Sequence, residues 1–187
     1  LDYDRIYETA YLFEGGKLVD GKDELVSDWG QYNTQSRKAA FFYNVRMRSN
    51  DDVIHTDTLF YDTRTSLAHV TGPSKIVSGD NVIHTADGYF NSKTDLSQLF
   101  GRSTIVNKEK TITGDSLFHD NTTGLNEGFG NVVYKDTVNK NQLLCDHLFY
   151  NDKTGYGYAT RKALMKDYSQ QDTLYVHADT LKLYTFN

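Results

Sequence analysis

The 187-residue chain carries 20 Lys and Arg against 25 Asp and Glu, a net charge of −5, without the basic surplus by which nucleic-acid binders neutralise phosphates. Mean hydropathy is −0.61, and no uncharged apolar run approaches the roughly 18 residues of a membrane-spanning helix. An aromatic share of 13% argues against disorder, and a single Pro with abundant Thr, Tyr and Val points to strands and turns.

In chain order, one pattern keeps returning: an aliphatic residue, a small residue, Asp, then a hydrophobic-aromatic run. Its first trace is Leu1-Asp2-Tyr3-Asp4, in step with Leu59-Phe60-Tyr61-Asp62 further on. Ala10 then aligns with Ala68, and Lys17-Leu18-Val19 with Lys75-Ile76-Val77. Val26-Ser27-Asp28-Trp29 is a loose copy. Arg37-Lys38-Ala39-Ala40-Phe41-Phe42 could be helical in isolation, but it follows Ser36 at a turn position and reads as strand. Ile54-His55-Thr56-Asp57-Thr58-Leu59-Phe60-Tyr61 is a full copy, followed by a Thr65-Ser66 turn and a second run, Leu67-Ala68-His69-Val70.

Thr85-Ala86-Asp87-Gly88-Tyr89-Phe90 is again loose, and Ile112-Thr113-Gly114-Asp115-Ser116-Leu117-Phe118 is full. Thr123-Gly124 and Gly130-Asn131-Val132-Val133 come after it. Leu144-Cys145-Asp146-His147-Leu148-Phe149-Tyr150 follows, with a turn at Thr154-Gly155 and a return run from Tyr156 to Ala159. The last copy is Val176-His177-Ala178-Asp179-Thr180-Leu181, and Leu183-Tyr184-Thr185-Phe186-Asn187 closes the chain before any turn.

The anchoring aspartates 28, 57, 87, 115, 146 and 179 are spaced by 29, 30, 28, 31 and 33 residues. A unit of about 30 residues holds two or three strands with their turns. The expected class is all-β, with residues 1–187 forming a single domain. Both ends fall inside a repeat, so the chain is expected to be a segment of a longer array.

Offsets from the anchor sort side chains into two faces, because successive residues of a strand point in opposite directions. Leu25, Ile54, Ile112, Leu143 and Val176 lie three before it, small residues one before it, and Phe60, Phe90, Phe118 and Phe149 three after it. The other face carries the aspartates, Leu59, Leu117, Leu148 and Leu181, and Tyr61 and Tyr150. Burying a row of unpaired carboxylates is costly, so the aliphatic–small–Phe face is expected to be the interior. The leucines and tyrosines opposite call for a second packed layer, or for a change of phase at a bulge near Asp. The small residues either open a slot between two sheets or let the sheets pack closely.

Chemistry-bearing patterns are sparse. His55, His84, His119, His147 and His177 sit at unrelated offsets and His69 is isolated, so they read as surface or pairing residues rather than metal ligands. One Asp per repeat fits a structural turn better than a calcium site, and Asp51-Asp52 and Asp20 with Asp23-Glu24 read as solvated loops. Cys145, the only cysteine, takes a position other units fill with Gly, Ala, Thr or Ser, and reads as a packing residue. There is no nucleophile elbow, phosphate-cradling glycine loop or His-Glu-x-x-His, and nothing argues for an enzyme.

The repeat, small residue–Asp–x–Leu–Phe–Tyr–Asp, a Thr-Gly turn, then Gly-Asn-Val, resembles the OstA-like family, which includes the lipopolysaccharide-transport proteins LptA, LptC and the N-terminal domain of LptD. It does so best over 112–133, at Gly114-Asp115, Thr123-Gly124 and Gly130-Asn131-Val132. The resemblance implies an open, twisted β-jellyroll of two facing antiparallel sheets. It also implies periplasmic lipopolysaccharide transport without catalysis or cofactor, in association with the outer membrane. Lipid A acyl chains would lie in a groove lined by Leu25, Ile54, Phe60, Phe90, Ile112, Phe118, Phe149 and Val176. Edge-strand pairing would join the protein to other jellyroll components or to further copies of itself. From the repeats alone, a structural or adhesive cell-surface β-solenoid without a groove is the alternative.

Overall fold

The computed structural model describes residues 1–49 and 52–184. Asp51 of the acidic pair, and Thr185, Phe186 and Asn187 at the far end, lie outside the described residues. The chain forms two β units, residues 1–95 and 96–187, with no helix among the described residues.

The first unit holds β1 (Asp2–Asp4), β2 (Thr9–Leu12), β3 (Gly16–Asp20), β4 (Asp23–Ser27), β5 (Trp29–Asn33), β6 (Lys38–Ser49), β7 (Asp52–Asp62), β8 (Leu67–Ser78) and β9 (Asn81–Asn91). The second holds β10 (Leu96–Asn107), β11 (Lys110–Asp120), β12 (Leu125–Asp136), β13 (Asn141–Asn151), β14 (Tyr156–Asp167) and β15 (Leu174–Tyr184). Within each unit the long strands pair with their neighbours in sequence, and these pairings are antiparallel. That pattern rules out a parallel solenoid.

The hairpins form where the Thr-Ser and Thr-Gly signals stand. Asp62 Oδ1 accepts from Arg64 N at 3.0 Å, Asp120 Oδ1 from Thr123 N at 3.0 Å, and Asn151 Oδ1 from Lys153 N and Thr154 N at 3.0 Å. Each side chain thereby replaces the backbone acceptor of the turn. The turns then end on left-handed residues, Ser66, Gly124 and Gly155.

Every long strand breaks register halfway along. Shifts occur between Phe42 and Val45, His55 and Thr58, Thr71 and Ser74, Phe100 and Ser103, Thr113 and Ser116, Phe129 and Val132, Leu144 and His147, and Thr160 and Ala163. At this line the return strands hold left-handed residues: Tyr43 and Asn44, Gly72, Gly101, Gly130 and Asn131, Arg161 and Lys162. In the first unit the interruption is complete, so β4 and β5 act as one strand broken at Asp28. β6 pairs with β4 along one half and with β5 along the other.

The bulge line is a crease at which each sheet doubles back on itself. Tyr61, near the end of β7, donates its hydroxyl to Asp23 at the start of β4. A straight β7 would hold that hydroxyl far from Asp23, which neighbours the opposite tip of the strand; about nine residues at 3.3 Å each separate Asp52 from Tyr61. In the second unit Lys110 Nζ, at the beginning of β11, lies 3.0 Å from Tyr150 Oη near the end of β13. The Tyr134 and Tyr150 rings, from opposite sides of the crease, are 5.6 Å apart. The expected two facing layers are present, each pair made by folding one sheet.

Candidate functional site

The space between the layers is apolar along the repeats from β4 to β14. On one side of the crease it takes Leu25, Met47, Ile54, Ile76 and Ile83 in the first unit, and Ile105, Ile112 and Leu143 in the second. The facing layer supplies Phe41, Leu59, Tyr61, Val70 and Phe90, then Leu99, Leu117, Leu148 and Tyr150. Each fully buried aliphatic or aromatic side chain contributes about 1.5–3 kcal/mol, so this interior is the main source of stability. Small residues line the crease itself: Ser27, Thr56, Thr85, Gly114 and Cys145. A Cβ on Gly114 would come within 2.9 Å of Leu117 Cδ2.

Of the sequence-predicted groove residues, Leu25, Ile54, Phe90 and Ile112 are buried in this interior. Val176, on the outermost strand β15, is half-buried and pairs with Met165. Phe60, Phe118 and Phe149 are not on that face. Phe60 is 43% exposed, Phe118 and Phe149 are half-buried, and each stands beside a buried leucine, Leu59, Leu117 or Leu148. Across the crease the buried positions of these strands step by three, from Thr56 to Leu59, Gly114 to Leu117 and Cys145 to Leu148, so the alternation inverts there and the even positions after the anchor turn inward. The lining residues overlooked on this account are Leu59, Leu117, Leu148, Tyr61 and Tyr150. Their recurrence two and four places after the anchor was the available signal.

Phe90 is buried for a different reason. It pairs with Ala68, the residue that Tyr61 pairs with on the other side, so it occupies the tyrosine position of its repeat. The anchor position of that strand therefore belongs to Ala86, and Asp87 stands one residue later.

Two of the displaced phenylalanines, Phe60 and Phe149, join aromatic rows on the outer surface. Phe60 lies 6.1 Å from Phe42 and 5.9 Å from His69, which stacks on Tyr89 at 4.3 Å and meets Asp87 at 2.9 Å. Phe149 stacks on Tyr158 at 5.0 Å. His147 likewise pairs with Glu127 at 2.8 Å, and buried His119 with Asn126 at 2.8 Å.

Electrostatically the interior is quiet. Burial pushes the Tyr61 phenol up, with the Asp23 carboxylate adding to the effect, and burial does the same to Tyr134. Burial also raises the Cys145 thiol to about 11, so it is a neutral packing group at physiological pH. Thr56 and Ser74 satisfy each other at 2.7 Å. Where the layers of the second unit meet at their far ends, a cavity of about 410 Å³ is lined by Tyr134, Asp136, Asn139, Tyr150, Asp167 and Tyr184 among others. Lys110 Nζ stands 5.2 Å from the centre of the Tyr150 ring.

Residues 1–57 and 41–115 match the family model described as OstA-like protein. No curated protein matches the chain. Among solved structures it is similar to LptH of Pseudomonas aeruginosa, the LptA-homologous periplasmic component of the lipopolysaccharide transport device. The two share 11% identity over 52% of this chain and 75% of that one, with a TM-score of 0.46.

Proposed function

This chain belongs to the OstA-like family, and on that premise we propose that it is a non-enzymatic carrier of lipopolysaccharide in the periplasm, holding lipid A acyl chains between its two layers. The observation that carries the reading is the apolar interior shared by facing layers along the repeats from β4 to β14. An acyl chain offers no polar group to recognise, so its carrier needs a continuous hydrocarbon surface and no site chemistry. Each methylene removed from water contributes about 0.8 kcal/mol. No single contact dominates, and a chain so held is free to slide.

Leu25, Ile54 and Leu117 are fully packed in the described state. Lipid entry therefore requires the layers to separate, turning about the crease. β15 pairs with β14 and, among the described residues, with no other strand. Its free edge suits strand addition by another jellyroll component or a second copy, which would extend a bridge toward the outer membrane.

The packed interior also favours a second reading, a structural β-repeat protein without a furrow. Photo-crosslinking separates the two. A benzoylphenylalanine at position 59 or 117, facing inward, should capture lipopolysaccharide in cell envelopes, whereas one at 60 or 118 should capture little. Equal capture from both faces, or none, rejects the furrow.

A further inference from the structure

On the outer surface of the first unit, four basic residues stand side by side across four strands. Arg46 of β6 pairs with His55 of β7, His55 with Lys75 of β8, and Lys75 with His84 of β9. At about 4.8 Å between strands the row spans some 14 Å. Arg48, two residues along β6, points the same way.

Such a row is not what an acidic chain builds by default. Like charges directly opposite on neighbouring strands destabilise a sheet, and this chain has five more acids than bases. Yet among the described residues no ion pair reaches Arg46, Arg48, His55, Lys75 or His84. Of the acids at adjoining positions, Glu24 is bound to Lys17 at 2.8 Å while also feeling the charges of Arg48 and Arg46, and Asp57 accepts from Thr58 at 3.5 Å. Arg46 Nε is buried and has no hydrogen-bond partner, the condition of a donor held for an absent acceptor. Arg46, His55, Lys75 and His84 line an open depression of about 590 Å³ with Val26, Asn44, Thr56, Pro73 and Ser74.

We propose that this row binds a phosphate-bearing anion, with Arg46 and Lys75 supplying fixed charge and His55 and His84 supplying ring N–H donors. The chemistry selects the class. The row offers donors with no carboxylate acceptor among them, in a shallow site that reads charge rather than shape. A phosphate monoester carries up to two charges and three acceptor oxygens, enough to span an arginine and its neighbours. The His55 side chain is held below the ordinary histidine range by desolvation first, then by Arg46, Lys75 and Arg48. An anion beside it opposes those cations and draws a proton onto the ring. Binding therefore strengthens as pH falls toward 6, the direction in which His55 charges. The site lies on the outer surface, away from the interior furrow, and stands or falls independently of acyl-chain binding.

The test is NMR of the histidine side chains in the full chain, titrated with inorganic pyrophosphate at about pH 6.5, near the ordinary histidine pKa. The His55 and His84 signals should shift saturably, and the His55 titration midpoint should rise. The Arg46→Gln/Lys75→Gln double variant should weaken binding at least about tenfold, a change of about 1.4 kcal/mol, while Lys162→Gln in the second unit should not. Flotation with phosphatidylcholine vesicles, with and without phosphatidate, distinguishes the source of the phosphate. Pyrophosphate shifts with phosphatidate-dependent flotation assign a lipid headgroup, and the same shifts without flotation assign a soluble phosphate compound. No saturable shift, shifts reproduced by chloride at equal ionic strength, or equal affinity in the folded double variant overturns the proposal.

Discussion

Asp115 and Asn131 are joined along the crease, the carboxylate Oδ2 accepting from the asparagine Nδ2 at 2.7 Å. Sixteen residues separate them, and the same interval joins Asp28 to Asn44 at 2.6 Å and Asp146 to Lys162 at 3.1 Å. The recurrent aspartate is thus a tie between neighbouring strands at the bulge. Its partners hold the Asp115 carboxyl below the usual carboxylate range, Asn131 first and Arg102 second.

Gly130 makes that tie possible. Its φ is +70°, and a Cβ there would stand 2.7 Å from Asp115 Oδ2. Gly130→Ala should cost about 2 kcal/mol, combining left-handed strain with the displaced carboxylate. Asp115→Ala introduced alongside removes the carboxylate contact and leaves only the 3.1 Å approach to Cβ, so urea denaturation should show the double variant losing less than the sum of the singles.

Arg161 adopts φ +60° at the equivalent turn of β14, a conformation that costs an L-residue about 1–2 kcal/mol. Glycine recovers that strain but loses about 0.5–1 kcal/mol to its freer unfolded chain. Arg161→Gly should therefore stabilise by about 0.5 kcal/mol, raising the calorimetric Tm by about 1–2 °C.

The inverted alternation is tested by a neighbouring pair. Leu117 is 1% exposed inside the fold, and Leu117→Asp buries a charge in a hydrocarbon layer, at about 3–5 kcal/mol. Phe118→Asp, on the outer surface, should cost at most about 1.5 kcal/mol. Thermal melts in which Phe118→Asp proves the more damaging would reverse the assignment of faces.

The repeat length, the hairpin turns and the positions before the crease were legible in the sequence, because they depend on neighbours a few residues away. Thr65-Ser66, Thr123-Gly124 and Thr154-Gly155 announced their turns, and Ile54 and Ile112 their inward face. Past the crease a count by twos fails, since burial steps by three from Gly114 to Leu117 and so leaves Phe118 outward. Asp87 imitated an anchor one residue late, which hid Ala86. The basic row was invisible for another reason: His55 and Lys75 lie 20 residues apart and become neighbours only through β7–β8 pairing.

Alkali should expose what burial holds neutral. The Cys145 thiol, raised to about 11, and the Tyr61 phenol keep their protons when folded at a pH where the unfolded chain has begun to release them. The unfolded state then binds fewer protons, so stability falls as pH rises through the ordinary ionisation range of these groups. Urea midpoints measured from about pH 8 to about pH 10.5 should decline, and less steeply in Cys145→Ala. Iodoacetamide should label Cys145 only as fast as the chain opens.

Strands that run crosswise to the line of repeats put their ladder bonds end-on to any pull along that line, the direction in which such bonds fail in succession. The ties at the crease are then the stitching that shares the load, and they are unevenly distributed. Asp28–Asn44 secures the β4–β5 strand to β6, and Asp115–Asn131 and Asp146–Lys162 secure two successive pairs of the second unit. Between β7 and β8 the corresponding partners are Asp57 and Pro73, and proline has no amide hydrogen or polar side chain to offer. Among the long-strand pairs of the first unit, the β7–β8 seam therefore meets a tearing force without this tie.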